Sequence, residues 1–107
     1  MTYSKLFEPG QIAGISLKNR MVMVSLATGT AEKDQSIGNE FLTYLQERAD
    51  GGVGLIILEN TRVDDTHGIA AQRQASVARD DLIPSLKHAV DALHAKGVKV
   101  MTQLHHP

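Results

Sequence analysis

The sequence predicts an α/β protein built on a parallel sheet, and three observations carry that prediction. The run Val53 to Glu59 (VGLIILE) is apolar almost throughout instead of alternating. That is the pattern of a strand covered on both faces, as strands of parallel sheets are. Two further stretches, Asn39 to Ala49 and Asp81 to Lys96, repeat apolar residues at helical spacing, and each is followed by glycine. Strand-like and helix-like segments alternate as β-α-β-α-β, the order that right-handed crossovers between parallel strands require.

Taken in order, Leu6 to Lys18 is broken by Pro9-Gly10 and Gly14 and reads as turns with a small hairpin, Ile15 and Leu17 alternating with Ser16 and Lys18. Arg20 to Ala27 (RMVMVSLA) reads as a first buried strand. Thr28 to Gly38 is a polar, glycine-punctuated loop. In the first helix Asn39 is the candidate N-cap and Glu40 suits the positive end of the helix dipole. Phe41, Leu42, Leu45 and Ala49 form its apolar face, and Gly51-Gly52 stops it. After the central strand, Asn60 to Arg79 is a polar stretch too long for an ordinary βα connection, and such loops are usually functional or mobile. The second helix has Asp80 and Asp81 as capping candidates and Pro84 near its start. Leu82, Leu86, Val90 and Leu93 make its stripe, flanked by Ala89 and Ala92. Val98 to Leu104 (VKVMTQL) reads as the third strand. No repeat, low-complexity tract or linker divides the chain, so it is one unit.

Composition narrows the function classes. The 107 residues are 42% hydrophobic and 21% charged, with a net charge of −1 and both signs interspersed. This is an ordinary globular composition, without the basic footprint of a nucleic-acid or anionic-membrane binder. There is no cysteine, which removes disulfides, thiolate nucleophiles and cysteine-held metal or iron–sulfur clusters from this chain. Met1 to Pro9 lacks an apolar signal core, and Leu55 to Leu58, the longest apolar run, is far too short to span a bilayer. The expected location is the cytoplasm.

In parallel α/β proteins ligands bind at the C-terminal ends of the strands. Here those ends are Ser25 to Thr28, Glu59 to Thr61 and Gln103 to His106. The amide of Gln103 offers a donor and an acceptor, which suits a heterocycle with alternating N–H and C=O groups and equally suits a bond to a neighbouring loop. His105 and His106 are adjacent, so an extended chain points them to opposite faces, a poor arrangement for a shared metal. Glu59 has two readings, a base inside the sheet's mouth or a carboxylate holding a loop through backbone N–H bonds, and the second is favoured. Asp64, Asp65 and His67 read as a solvated loop before they read as metal ligands. Gly51, Gly52 and Gly54 precede a strand, whereas a dinucleotide fingerprint follows one. Met21, Met23 and Met101 read as core filler.

Several segments in register carry a resemblance. Leu6-Phe7-Glu8-Pro9 is followed by Leu17-Lys18-Asn19-Arg20-Met21-Val22-Met23, then by Arg48-Ala49-Asp50-Gly51-Gly52-Val53-Gly54-Leu55-Ile56-Ile57, then by Gln103-Leu104-His105-His106-Pro107. In order and spacing this resembles the opening of the old yellow enzyme family, flavin-dependent ene-reductases and their relatives. The resemblance covers essentially the whole chain, residues 1–107. It implies the N-terminal portion of a (β/α)8 barrel: about three βα strands plus a hairpin capping the barrel's bottom, within an FMN-binding domain.

The resemblance further implies FMN across the C-terminal mouth, with NAD(P)H as reductant and an electron-poor alkene as the small-molecule acceptor. Val24, Ser25, Leu26 and Ala27 would lie along the flavin, mainly through backbone groups. Asn60 falls where a small residue's backbone approaches the ring, and Gln103 matches the glutamine whose amide bonds the flavin's pyrimidine edge. Two positions depart from the family pattern. Ala27 stands where a hydroxyl, thiol or imidazole is common, and Asn60 is bulkier than the usual Gly or Ala. Ser25-Leu26-Ala27-Thr28-Gly29 looks more like the larger dienoyl-CoA-reductase-type members, which implies an iron–sulfur cluster and a second flavin domain further along such a protein. The family's catalytic acid, substrate-binding pair and phosphate site fall later in the barrel, so the 107 residues alone are expected to be inactive. The alternative is a non-catalytic βαβαβ unit that docks on a partner or self-associates through its open sheet edges, and homo-oligomers are expected on the same ground.

Overall fold

The computed structural model describes residues 2–107. A short helical turn, α1 (Ser4–Phe7), which the sequence did not signal, leads into an antiparallel hairpin of β1 (Gly10–Ile12) and β2 (Ile15–Leu17). Ala13 and Gly14 make the turn with φ of 46° and 83°. Two positive φ angles match the right-handed twist of the flanking strands, and Gly14 adopts its value without a Cβ clash.

The remaining elements follow the expected order: β3 (Val22–Met23), α2 (Asn39–Asp50), β4 (Leu55–Arg62), α3 (Ile83–His94) and β5 (Lys99–His105). The strands form one parallel sheet in the order β3-β4-β5. A 3-10 turn, Asp80–Leu82, opens onto α3, and Pro84 sits in the first turn of that helix, where its missing N–H breaks no helical bond. No helix among the described residues is long and apolar enough to cross a membrane.

The core lies between the sheet and the two longer helices. Phe41, Leu42, Leu45 and Ala49 of α2 and Ala89 and Leu93 of α3 are buried with Ile56 and Leu58 of β4 and Val98. Full burial of each large apolar side chain contributes about 1.5–3 kcal/mol, so this cluster dominates the favourable side of folding. β4 is buried along both faces, as its unbroken apolar run predicted. At the N-terminal end of the sheet, the Asn19 side chain bridges backbone groups, donating to Gly52 O at 2.7 Å and accepting from Met21 N at 3.1 Å. A Cβ on Gly54 would fall 2.7 Å from Asn19 Oδ1 and 2.8 Å from its carbonyl oxygen. The crossing of these two backbones therefore requires glycine.

Three local expectations are corrected. Arg20 to Ala27 is not a buried strand. Only Val22 and Met23 pair with β4, and Val24 and Leu26 are 68% and 59% exposed. The segment is an edge: Arg20 is tied to α1 through Leu6 O, and among the described residues no strand pairs with Val24 to Ala27. The N-cap of α2 is Gly38 rather than Asn39, and neither it nor the turn at Asp80 has a side-chain cap. The strand Val53 to Glu59 continues to Arg62, because the stretch after Glu59 pairs with β5 and with Ser76.

Candidate functional site

The C-terminal ends of β3, β4 and β5 lie side by side. Past Met23 the chain leaves the ladder, so Val24, Ser25, Leu26 and Ala27 form an unpaired strip at this end of the sheet. The Ser25 hydroxyl donates to Gln103 Oε1 at 3.1 Å, which joins the strip to the end of β5 across an exposed surface. Asn60 is the register partner of Gln103. The structure thus draws Ser25, Asn60 and Gln103 to one end of the sheet, with Val24, Leu26 and Ala27 on the adjoining strip.

Asn60 is turned toward His105, its Nδ2 lying 3.5 Å from His105 Nδ1, while its Oδ1 is buried without a partner among the described residues. Its backbone carbonyl accepts from Gln74 Nε2 at 2.6 Å, and the same nitrogen lies 3.4 Å from His105 Nδ1. Gln74 itself is 2% exposed and accepts from Ala70 N. The Asn60 carbonyl therefore already serves a neighbouring loop.

A register shift separates Leu58, paired with Thr102, from Asn60, paired with Gln103. Glu59 is the extra residue. Bulges of this kind re-aim a side chain near sites, and here the Glu59 carboxylate receives both flanking loops. Oε2 accepts from Thr28 N at 2.8 Å and Thr28 Oγ1 at 2.9 Å, and Oε1 accepts from Ala75 N at 2.9 Å. Glu59 is 2% exposed. The loop-holding role favoured for it matches this geometry.

The long stretch after β4 is fastened at several points. Arg62 N donates to Ala75 O and Val77 N to Arg62 O, a short parallel bridge between Arg62 and Ser76. Arg62, buried, donates from Nε to Asp65 Oδ1 at 2.8 Å, Ser76 Oγ donates to the same oxygen at 2.9 Å, and Arg79 pairs with Asp65 Oδ2. Burial pushes the Asp65 carboxyl upward. The Ser76 and Arg79 hydrogen bonds, with the charges of Arg62 and Arg79, outweigh that and hold it below the ordinary value. The Thr66 hydroxyl, then the Thr66 and His67 N–H groups, hold Asp64 well below the ordinary range in an Asx turn. Both aspartates are engaged with their own loop, and among the described residues no cluster of His, Asp or Glu is arranged to hold a metal.

The sequence did not single out Gln74 or Ser76, and it marked Thr28 as part of a strand end without its role in fixing the loop. Their signal is faint: each is a polar residue in a polar stretch. Asp34-Gln35-Ser36 and Asp64-Asp65-Thr66 carry a readable cue, an aspartate two residues before a hydroxyl residue.

A profile of the NADH:flavin oxidoreductase / NADH oxidase family matches residues 5–107. The chain is 36% identical over 104 residues to an NADH oxidase of Thermoanaerobacter brockii, covering 97% of this chain and 16% of that protein. It is 38% identical over 104 residues to an NADPH dehydrogenase of Listeria welshimeri, covering 96% and 30%. The chain thus spans less than a third of these relatives. An old yellow enzyme from Pichia superposes with a TM-score of 0.86 at 27% identity, over 95% of this chain and 26% of that one. The hairpin and three βα strands correspond to the N-terminal part of that barrel fold.

Proposed function

The chain belongs to the NADH:flavin oxidoreductase / NADH oxidase family, and from that membership we propose that it forms one side of the FMN bed in an NAD(P)H-dependent oxidoreductase of the old yellow enzyme type. The observation that carries the reading is the Ser25–Gln103 hydrogen bond beside the unpaired Val24–Ala27 strip. This donor set fits a flavin. Gln103 Nε2 makes no hydrogen bond within the chain's described residues, and its Oε1 accepts only from Ser25. The amide therefore keeps a donor and a lone pair for a ring edge that alternates C=O and N–H. The strip offers backbone groups that no neighbouring strand consumes, and exposed Val24 and Leu26 offer apolar contact.

When bound, FMN supplies hydride transfer from NAD(P)H to an acceptor, here an electron-poor alkene or related compound. Gln103 would bind the pyrimidine edge and stabilise negative charge on the reduced ring by donation from its amide. Ser25 orients that amide. Ala27 cannot hydrogen-bond to the ring, so it contributes space and contact alone. Asn60, with its carbonyl held by Gln74, would meet the ring through its remaining surface. The chain matches relatives of two lengths about equally, an NADH oxidase of which it spans 16% and an NADPH dehydrogenase of which it spans 30%; the Ser25–Gly29 stretch is what favours the longer type. In that type an iron–sulfur cluster belongs outside these cysteine-free residues.

The test is flavin retention and turnover in the full-length protein as its source makes it. FMN is expected to co-elute on gel filtration, with NAD(P)H-dependent reduction of an activated enone, and Gln103→Ala is expected to weaken FMN about tenfold. A full-length protein with no affinity for added FMN overturns the reading. The 107 residues alone carry one side of the bed and are expected to bind FMN weakly or not at all, without turnover. A second reading, docking or self-association of the unit, is favoured by the single-sided pairing of β3 and β5 and the exposure of Val22, Val24 and Leu104.

A further inference from the structure

We propose that Glu59 is a positioning residue for the cofactor bed, holding the Val24–Ala27 strip in place through Thr28; the proposal rests on the flavin reading above. The strip has no ladder of its own. It is pinned at its start, where Met23 pairs with Ile56, and immediately past its end, where Thr28 N and Thr28 Oγ1 both donate to Glu59 Oε2. Between these points its only side-chain tie to β5 is Ser25 to Gln103. The next hold past Thr28 comes at Thr30 and buried Ala31, whose carbonyls accept from Arg73, so Glu59 is the anchor nearest to Ala27.

The other carboxylate oxygen takes Ala75 N, so the same group locks the loop after β3 to the loop after β4. These donors lie on segments far apart in sequence, and the bulge aims Glu59 between them. Among the described residues no Lys, Arg or His forms an ion pair with Glu59. A carboxylate buried without a cation is costly unless its hydrogen bonds are well made. An apolar side chain would serve the core without that cost. What the carboxylate adds is fixed geometry for two backbone N–H groups, one of them adjacent to Ala27.

Glu59→Gln in the full-length protein keeps the volume and turns one acceptor oxygen into an N–H2 donor. The amide can then serve Ala75 N and the Thr28 hydroxyl, and the Thr28 N–H loses its partner. The expected result is a roughly tenfold rise in the FMN Kd, a changed visible circular dichroism of the bound flavin, and Thr28 amide exchange faster by about tenfold or more. FMN binding by the wild type with unchanged Kd and flavin dichroism in Glu59→Gln, despite faster Thr28 exchange, overturns the proposal and leaves the flavin reading intact. Absence of FMN binding by the wild type overturns both. If Glu59→Gln does not fold, Thr28→Val serves instead. It removes the hydroxyl's bonds to Glu59 and to Thr30 while keeping the Thr28 N–H bond to Glu59; it is expected to weaken FMN about threefold, and an unchanged Kd overturns the proposal.

Discussion

Two apolar runs of this chain read alike on paper and behave as opposites in space. Leu55, Ile56 and Leu58 of β4 are at most 2% exposed, while Val24 and Leu26, in the run that follows β3, are more than half exposed. The difference lies in neighbours. β4 has a strand on each side and shares its core with α2 and α3. The run after β3 has one strand beside it for two residues and then none. Apolar composition marks a surface that needs a cover, and the cover decides what the surface does. For β4 the cover is this chain's own helices. For the Val24–Ala27 strip the proposed cover is a flavin.

The comparison breaks most easily at β4. Ile56→Ala removes a fully buried side chain from the centre of the core and is expected to cost about 3–4 kcal/mol, transfer and cavity terms together. A urea midpoint little changed by this substitution would mean that β4 is not the centre of the fold. The same experiment on Val24→Ala is expected to move stability by no more than about 0.5 kcal/mol, because a surface position leaves no cavity.

A smaller effect belongs to the loop after β4. Asp65→Asn leaves the buried Arg62 guanidinium without its carboxylate, and the loss is expected to be about 2 kcal/mol near neutral pH, reduced from the fully buried case because Asp65 is partly exposed. Its folded-state pKa is lowered. The stability it contributes is therefore complete above the unfolded value of about 3.9 and disappears as pH falls through the lower folded value. Urea unfolding near pH 7 should separate the wild type from Asp65→Asn, and the gap should narrow as pH falls below the unfolded value of about 3.9. A gap that stays constant with pH would sink the ion-pair account.

Much of this fold was legible because it follows local rules. The β-α-β-α-β order, the hairpin at Ile15 and Leu17, and the faces of α2 and α3 come from periodicity and turn residues, which a single sequence displays. What failed was context. The burial of Arg20 to Ala27 depends on what lies beside it. The end of β4 depends on Ser76 and β5, each many residues away. The bulge at Glu59 has no local mark at all, since a register shift belongs to a pair of strands. Among the candidate site residues, Gln103 and Ser25 were found from their place at strand ends, and their contact needed three dimensions. Gln74 was missed, and Thr28 was marked only as part of a strand end, because a polar residue in a polar loop carries no sign that it is tied down.

The smallest expected change is the sharpest test of what the exposed strip is for. Leu26→Ser should leave the unfolding midpoint of this chain unchanged to within about 0.5 kcal/mol, because Leu26 is 59% exposed and contributes little to the core. If the open edge drives association, light scattering of the 107-residue chain should give a mass above the monomer, and Leu26→Ser should lower it, since the substitution removes apolar area from the strip beside that edge. In the full-length protein the same substitution should weaken FMN only modestly, because the strip would meet the ring mainly through its backbone, which serine retains. A clean monomer at all concentrations, in wild type and variant alike, would remove self-association as an explanation of the exposed strip. Flavin would then be the only cover proposed for it.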